Sequence, residues 1–175
     1  MKKKYLSSIL ILVFILLLAQ SSVLAQNNIL DQEAGKYKVG FMASFPSYGL
    51  SGIMEINDKV SVQGILAPMG DLSNYSVRGL YKIEERESWH TYGYGSIGLW
   101  THKYTDYSNN PYGETETESA IGIGAGVGIE YDWSIWYGED TPPISSSLEI
   151  GFGSVGLDNY NYSAISIGAA THYKF

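Results

Sequence analysis

The fold is decided by the last thirteen residues of the chain, Ser163-Ala-Ile-Ser-Ile-Gly-Ala-Ala-Thr-His-Tyr-Lys-Phe175. From Ile165 onward the odd positions are mostly apolar and end in two aromatic residues, whereas the even positions are small or polar. Side chains that alternate with this period lie on opposite faces of a β-strand. The stretch therefore predicts a strand with one apolar face, and this strand runs to the last residue, Phe175.

Seven other segments alternate in the same way, and turn-forming residues separate them. With the last segment, the predicted strands are residues 36–45, 48–56, 60–67, 75–84, 88–102, 117–132, 144–156 and 161–175. The sixth is the clearest, because Ile121, Ile123 and Val127 alternate with glycines. No helical periodicity follows residue 25. These features predict an all-β fold, an eight-stranded antiparallel up-and-down barrel.

The N-terminus has the pattern of a secretory signal peptide. Three lysines, Lys2 to Lys4, precede an apolar run from Ile9 to Ala19, and small residues lead up to Ala25. The run is short for a transmembrane anchor, which needs about 20 apolar residues, so cleavage after Ala25 is the favoured interpretation. The predicted organisation is a signal peptide at 1–25, a short segment at 26–35 and a barrel at 36–175.

Charge and composition exclude several functions. Cleavage removes three of the 11 basic residues and none of the 18 acidic ones, which leaves a net charge of −10. A mature chain this acidic is not expected to bind nucleic acid. The chain has no cysteine, so disulfides, thiolate metal sites and cysteine nucleophiles are excluded. No cofactor and no metal site is predicted.

With its eight predicted strands and its Tyr173-Lys-Phe175 ending, the chain resembles the small β-barrels of bacterial outer membranes, such as the OmpX type, the OmpA membrane domain and porin-like proteins. The resemblance implies residence in the outer membrane, with apolar faces against lipid and polar faces in the lumen. It also implies that Tyr173 and Phe175 form the signal that the barrel-assembly machinery reads. Aromatic residues at strand ends are expected at both membrane interfaces, for example Trp133 on the periplasmic side and Trp100 on the outer side.

This orientation places eight charged or titratable side chains in the lumen. They are Lys38, Glu55, Arg78, Lys82, Glu130, Glu149, His172 and Lys174. Charges in a narrow interior must be paired, and Lys38 with Glu55 is the best predicted pair. Glu130, Glu149 and His172 lie on successive strands and are expected to interact. The favoured interpretation is a polar plug that blocks conduction, and the alternative is a proton- or ligand-responsive site.

The positions of the turns predict the registers of the first two hairpins. The first turn sets Lys38 opposite Glu55, so that the opposite charges meet on one face. The second turn sets Val62 opposite Met54, which brings two apolar side chains together. Both registers pair polar residues with polar ones and apolar residues with apolar ones, as is expected for residues that share one face of a barrel.

Two segments depart from the simple pattern. In the fifth predicted strand, Tyr92 and Tyr94 alternate out of phase with Ile97. A β-bulge near residues 93–95 would bring these residues into one phase. The connection at residues 134–143 is long for the periplasmic side, where turns in such barrels are short.

The outward loop at residues 103–116 is acidic and rich in tyrosine, which offers wide contact area at low entropic cost. Its candidate binding residues are Tyr104, Tyr107 and Tyr112. The favoured alternative is a solvated loop that keeps the barrel soluble at the cell surface and binds nothing. We expect a non-enzymatic outer-membrane protein with a structural or surface-interaction role. Its expected partners are outer-membrane lipid, the barrel-assembly machinery and a surface ligand. The alternatives are a lipid-modifying hydrolase that uses His90 or His102, and a secreted soluble barrel that binds a small apolar ligand. No catalytic residue is predicted.

Overall fold

The computed structural model describes six parts of the chain. These are residues 36–44, 47–68, 70–106, 112–137, 142–157 and 161–175. The predicted signal peptide at 1–25, the short segment at 26–35 and Tyr107 lie outside the described residues. Cleavage after Ala25 and the division of the chain into three parts therefore stay predictions.

Antiparallel strands follow one another around a closed barrel. They are β1 (Tyr37–Ser44), β2 (Tyr48–Glu55), β3 (Val60–Ala67), β4 (Leu72–Glu85), β5 (Trp89–Asp106), β6 (Glu114–Asp132), β7 (Ile144–Gly156) and β8 (Asn161–Lys174). Each strand pairs with the next along the chain, and β8 pairs with β1 to close the barrel. The predicted fold class, an all-β eight-stranded antiparallel up-and-down barrel, is confirmed.

We name the two ends of the barrel by their connections. The proximal end carries the β2–β3, β4–β5 and β6–β7 connections and the C-terminal Phe175, and the distal end carries the other connections. A helix, α1 (Trp133–Tyr137), follows β6 at the proximal end. It lies mostly within the predicted connection at 134–143, and its five residues make fewer than two turns, too few to show helical periodicity in the sequence. Among the residues that the structure describes, no helix is long and apolar enough to cross a membrane.

The two predicted registers have different outcomes. In the first hairpin, Lys38 pairs with Ile53 rather than with Glu55, a shift of two residues. A shift of two leaves every side chain on its predicted face, and alternation alone cannot exclude it. In the second hairpin, Met54 lies opposite Val62, so that register is confirmed.

The predicted bulge in β5 is wrong. The register irregularity lies on the neighbouring strand β4, between Lys82 and Glu84. Strand β5 keeps one phase throughout, so Tyr92 and Tyr94 face the interior while Ile97 faces outward and is 57% exposed. The prediction fails because it assigns aromatic side chains to the outer, lipid-facing side. Here they occupy interior space that glycines leave open.

The β5–β6 hairpin is longer than predicted at the distal end. Strand β5 continues to Asp106 and β6 begins at Glu114, so both ends of the predicted loop at 103–116 are strand, and Tyr104 lies in β5. These added residues are polar on both faces, and the apolar alternation that identifies the other strands does not reach them. Tyr112 lies in the connection and is 92% exposed.

The barrel has an apolar outside and a polar inside. Apolar side chains that are 37–74% exposed cover its outer surface: Val39, Phe41, Leu50, Met54, Val62, Val77, Ile97, Ile121, Ile123, Val127, Leu148, Ile150, Phe152, Ile165 and Ile167. Charged and polar side chains, among them Lys38, Arg78 and Glu130, are buried inside. Soluble proteins show the opposite arrangement, and an exposed apolar surface that is this extensive indicates contact with an apolar medium.

Candidate functional site

The interior of the barrel is the candidate site, and aromatic side chains of β5 cross it. Tyr92 lies opposite Gly128 and Tyr94 opposite Gly126 in the β5–β6 register. A Cβ atom added to Gly128 would lie 2.5 Å from Tyr92 Cζ, and one added to Gly126 would lie 2.7 Å from Tyr94 Cζ. The tyrosine rings therefore fit into the space that the glycines of β6 leave because they have no side chains.

A buried ion pair lies beside these rings. Arg78 Nη2 of β4 is 2.7 Å from Glu149 Oε2 of β7, and the two residues are 2% and 5% exposed. Tyr92 Oη donates a hydrogen bond of 2.6 Å to the other carboxylate oxygen of Glu149. The Arg78 guanidinium carbon lies 3.8 Å from the ring centroid of Tyr94, a cation–π contact. Because β4 and β7 are not neighbours, this pair crosses the lumen.

A second charge cluster lies nearer the proximal end. Lys38 Nζ is 2.8 Å from Glu130 Oε1 and 3.2 Å from Glu55 Oε1, so Lys38 joins β1 to both β6 and β2. The predicted contact between Lys38 and Glu55 is present despite the changed register, because Glu55 lies on the diagonal from Lys38. His90 Nε2 is 3.9 Å from Glu130 Oε2. This cluster also bridges strands across the lumen.

Three polar side chains connect β2, β3 and β8. Ser51 Oγ is 2.9 Å from His172 Nε2, and Gln63 Nε2 donates a bond of 2.7 Å to Ser51 Oγ. The three residues are only 1–3% exposed. A serine beside a histidine is one element of hydrolase chemistry, but a substrate must reach the serine. Burial to this degree inside the barrel separates Ser51 from lipid.

The remaining predicted lumen residues lie at the proximal rim. Lys82 Nζ is 2.7 Å from Glu85 Oε1, and Lys174 forms an ion pair with Asp132. Glu130, Glu149 and His172, which are expected to interact, each contact a different group: Lys38, Arg78 and Ser51 respectively. The structure therefore distributes the predicted cluster over several levels of the barrel.

Small cavities lie on either side of the Arg78–Tyr94 layer. The distal cavity touches Arg78, Tyr94 and Trp100, and the proximal one touches Lys38 and Tyr92. Each has a volume of about 20 Å³, which is room for about one water molecule. Drug-sized ligands need pockets of roughly 300 Å³ or more, so neither cavity suits an apolar ligand.

An apolar cluster fills the interior at the distal end. Trp100 is 1% exposed and packs with Val155 and Leu157, while Leu72 and Ala120 lie against the cluster. The expectation that Trp100 lies at the outer membrane interface is wrong. Trp100 lies an even number of residues from Tyr92 and Tyr94 along β5, so its side chain points into the lumen as theirs do.

The extended β5–β6 hairpin carries cross-strand polar contacts. Tyr104 Oη donates a bond of 2.9 Å to Glu116 Oε2, and His102 Nδ1 is 3.4 Å from Glu118 Oε1. Both histidine candidates for a lipid hydrolase, His90 and His102, thus have carboxylate neighbours. Within the described ranges, no group of three or more His, Asp or Glu side chains is arranged to hold a metal ion.

Several residues whose side chains face the lumen could not be found by looking for charged residues in the sequence. Tyr92, Tyr94 and Trp100 are aromatic, and Ser51 and Gln63 are uncharged. The signal that identifies them is parity: once Ile97 is assigned to the outside, every even position of β5 must face inward. For Ser51 and Gln63 the same argument applies through Leu50 and Val62.

Comparisons with known proteins give structural similarities. No protein-family model matches the chain, and no curated protein matches it. The chain is similar to the crystal structure of Neisserial surface protein A, with 18% identity and a TM-score of 0.48 over 82% of this chain and 100% of that one. It is similar to the attachment invasion locus protein Ail of Yersinia pestis in complex with the heparin analogue sucrose octasulfate, with 17% identity and a TM-score of 0.48 over 82% and 100% of the two chains. It is also similar to the de novo designed TMB2.3, with 11% identity and a TM-score of 0.43 over 83% and 98%.

Proposed function

We propose that the chain is an integral outer-membrane β-barrel whose lumen is closed and which acts without catalysis, as a structural or surface-interaction protein. The observation that carries this proposal is the inverted polarity. Side chains such as Phe41, Ile121 and Ile167 are 67–74% exposed on the outside, while Arg78 and Glu149 form an ion pair inside. Lipid on the outside satisfies the apolar band, and the paired charges satisfy one another inside.

Closure of the lumen is supported by contacts that cross it. The Arg78–Glu149 pair, the Lys38–Glu130 pair and the Trp100 cluster occupy three successive levels between the two ends. A continuous water path would have to pass all three levels. The same interior argues against a soluble barrel that carries an apolar ligand, because its lining is charged and the two cavities beside the Arg78–Tyr94 layer hold about one water each.

A role in surface interaction is supported by the β5–β6 hairpin. Strand β4 begins at Leu72, opposite His102, so the four residues of β5 that follow His102 extend beyond it. Four residues of strand span about 13 Å. The exposed Tyr112 at the distal connection then lies well clear of the membrane band. We place this end of the barrel at the cell surface and the proximal end in the periplasm.

Fractionation and gel mobility test the membrane assignment. The full chain, expressed in a Gram-negative bacterium, should be recovered in the outer membrane, and its band should shift on heating in detergent. The mass of the recovered protein should match cleavage after Ala25. Recovery as a monomer that is soluble without detergent would overturn the proposal.

Two further measurements test the finer claims. The purified protein in planar bilayers should show no porin-sized conductance, and such a conductance would contradict the closed lumen. Cells that express the protein should adhere to immobilised polylysine, a basic surface that complements the acidic β5–β6 hairpin, more than cells that express the Tyr112→Ser variant. Equal binding would leave only the structural role. A change in lipid composition that depends on His90 or His102 would instead indicate the hydrolase.

A further inference from the structure

We propose that helix α1 is an interfacial anchor, which lies in the headgroup region of the periplasmic phospholipid leaflet and sets the depth of the barrel. This inference rests on the proposed function, because it requires the barrel to span the outer membrane with its proximal end in the periplasm. It assigns a partner, the phospholipid surface, to a connection that is otherwise unusually long for its place in the fold.

The first observation is that exposed apolar side chains of α1 follow the apolar column of β6. The odd residues of β6 face outward, and their exposed fractions are 70% at Ile121, 52% at Val127 and 39% at Tyr131. Trp133 and Ile135, both in α1, follow directly and are 40% and 45% exposed. Residues two apart in a helix do not share a face, so these side chains present apolar surface on two sides of α1, next to the proposed lipid-facing end of β6.

The second observation is that the start of α1 is fixed to the barrel rim. Asp132 Oδ1 accepts hydrogen bonds from the backbone N–H of Ser134 at 3.1 Å and from its hydroxyl at 2.6 Å. These bonds cap the helix N-terminus. The other carboxylate oxygen of Asp132 pairs with Lys174 of β8, and the Asp132 N–H bonds to the Ser88 carbonyl at 2.9 Å. The bonds of Asp132 to Lys174 and to Ser88 hold the start of the helix at one height on the rim.

The third observation identifies lipid as the occupant. Exposed aromatic side chains occur at this height on strands around the barrel: Tyr37 on β1, Tyr81 on β4, and Tyr173 with Phe175 at the end of β8. They are 45–60% exposed. A protein partner or a second copy of the chain would cover one side, whereas a leaflet surrounds the barrel. Tryptophan and tyrosine are the residues that favour a membrane interface.

The absence of cysteine from the chain provides a direct test. The protein is purified from outer membranes as Ile135→Cys, Val127→Cys or Asp58→Cys, labelled with a nitroxide and reconstituted in vesicles of phosphatidylethanolamine and phosphatidylglycerol. Val127 is the control for the apolar band, and Asp58, in the exposed β2–β3 turn, is the aqueous control at the same end. Power saturation then compares the access of oxygen, which partitions into lipid, with that of a water-soluble nickel complex.

We expect the ratio of oxygen to nickel access at position 135 to be several-fold higher than at position 58 and lower than at position 127. A ratio equal to that at position 58 overturns the anchor while the membrane assignment stands. Poor access to both reagents also overturns it, since protein would then cover the helix. An aqueous ratio at position 127 contradicts the membrane assignment itself.

A second measurement needs no label. The tryptophan emission of the Trp133→Phe variant is subtracted from that of the unmodified protein, which leaves the emission of Trp133. In vesicles that contain brominated phospholipids, this difference emission should be quenched. If that difference emission is as bright as in unbrominated vesicles, Trp133 does not contact lipid and the anchor is refuted.

Discussion

Removal of the Arg78 charge should destabilise the barrel far more than removal of a surface charge. Arg78 and Glu149 are 2% and 5% exposed, with 2.7 Å between Nη2 and Oε2. The Arg78→Met variant leaves the Glu149 carboxylate buried without its cationic partner, while the hydrogen bond from the Tyr92 hydroxyl remains. Loss of one partner of a buried ion pair costs about 3–5 kcal/mol. At about 1.4 kcal/mol per factor of ten, this lowers the folding equilibrium constant by roughly two to three and a half powers of ten.

The assay is equilibrium unfolding in urea in lipid vesicles, followed by tryptophan emission and by the mobility of the folded band. Arg86→Met is the matched control. Arg86 forms a similarly short contact of 2.6 Å with Glu84, but the side chains are 64% and 48% exposed. A surface pair of this kind contributes at most about 1 kcal/mol. The buried and exposed pairs thus differ in burial rather than in contact length.

A double-mutant cycle separates the ion pair from general damage to packing. The Arg78→Met and Glu149→Gln changes together remove both charges, so the double variant should be more stable than the sum of the single effects predicts, by about 0.5–3 kcal/mol. Additive effects would refute the pairing, and so would an Arg78→Met cost no larger than that of Arg86→Met. Either result would mean that Arg78 is solvated in the lumen and that the interior is wetter than the structure indicates.

Other expectations concern the two faces of the barrel and its last residue. Ile123→Lys should cost about 2–4 kcal/mol in vesicles, whereas Thr115→Lys, beyond the apolar band, should cost less than about 0.5 kcal/mol; equal costs would argue against a lipid-facing Ile123. Gly126→Ala forces a Cβ against a neighbouring ring and strand and should cost about 1–3 kcal/mol, while Gly95→Ala, with open space around its Cβ, should cost less than about 0.5 kcal/mol in the same unfolding assay. Phe175→Ser should reduce the amount of heat-modifiable barrel in outer membranes severalfold but change the stability of refolded protein by less than about 0.5 kcal/mol; an equally large loss of stability would make Phe175 a packing residue rather than an assembly signal.

The strands and their apolar faces can be predicted from the amino-acid sequence. Alternation at Ile165 to Phe175 and at Ile121 to Val127 is a local property, because successive side chains of an extended chain must point to opposite sides. In the first hairpin the predicted register is wrong by two residues, but each side chain still lies on its predicted face, because a shift of two residues changes no face. Helix α1 could not be predicted in this way, because its five residues are too few to show a helical repeat of apolar positions.

The side chains that fill the barrel and the charges that pair inside it depend on how the strands close into a ring. Lys38 and Glu130 are 92 residues apart in sequence, and Arg78 and Glu149 are 71 apart. Their contacts depend on closure of β8 against β1 and on the registers around the whole ring, which no local pattern contains. The inward direction of Trp100 follows from parity, but the space that receives it exists only because Gly98 and Gly122 lie beside it in the closed barrel. The face on which a side chain lies is therefore set by its position along one strand. The residue that it contacts is set by the curvature of the sheet, which places distant strands on opposite sides of a narrow lumen.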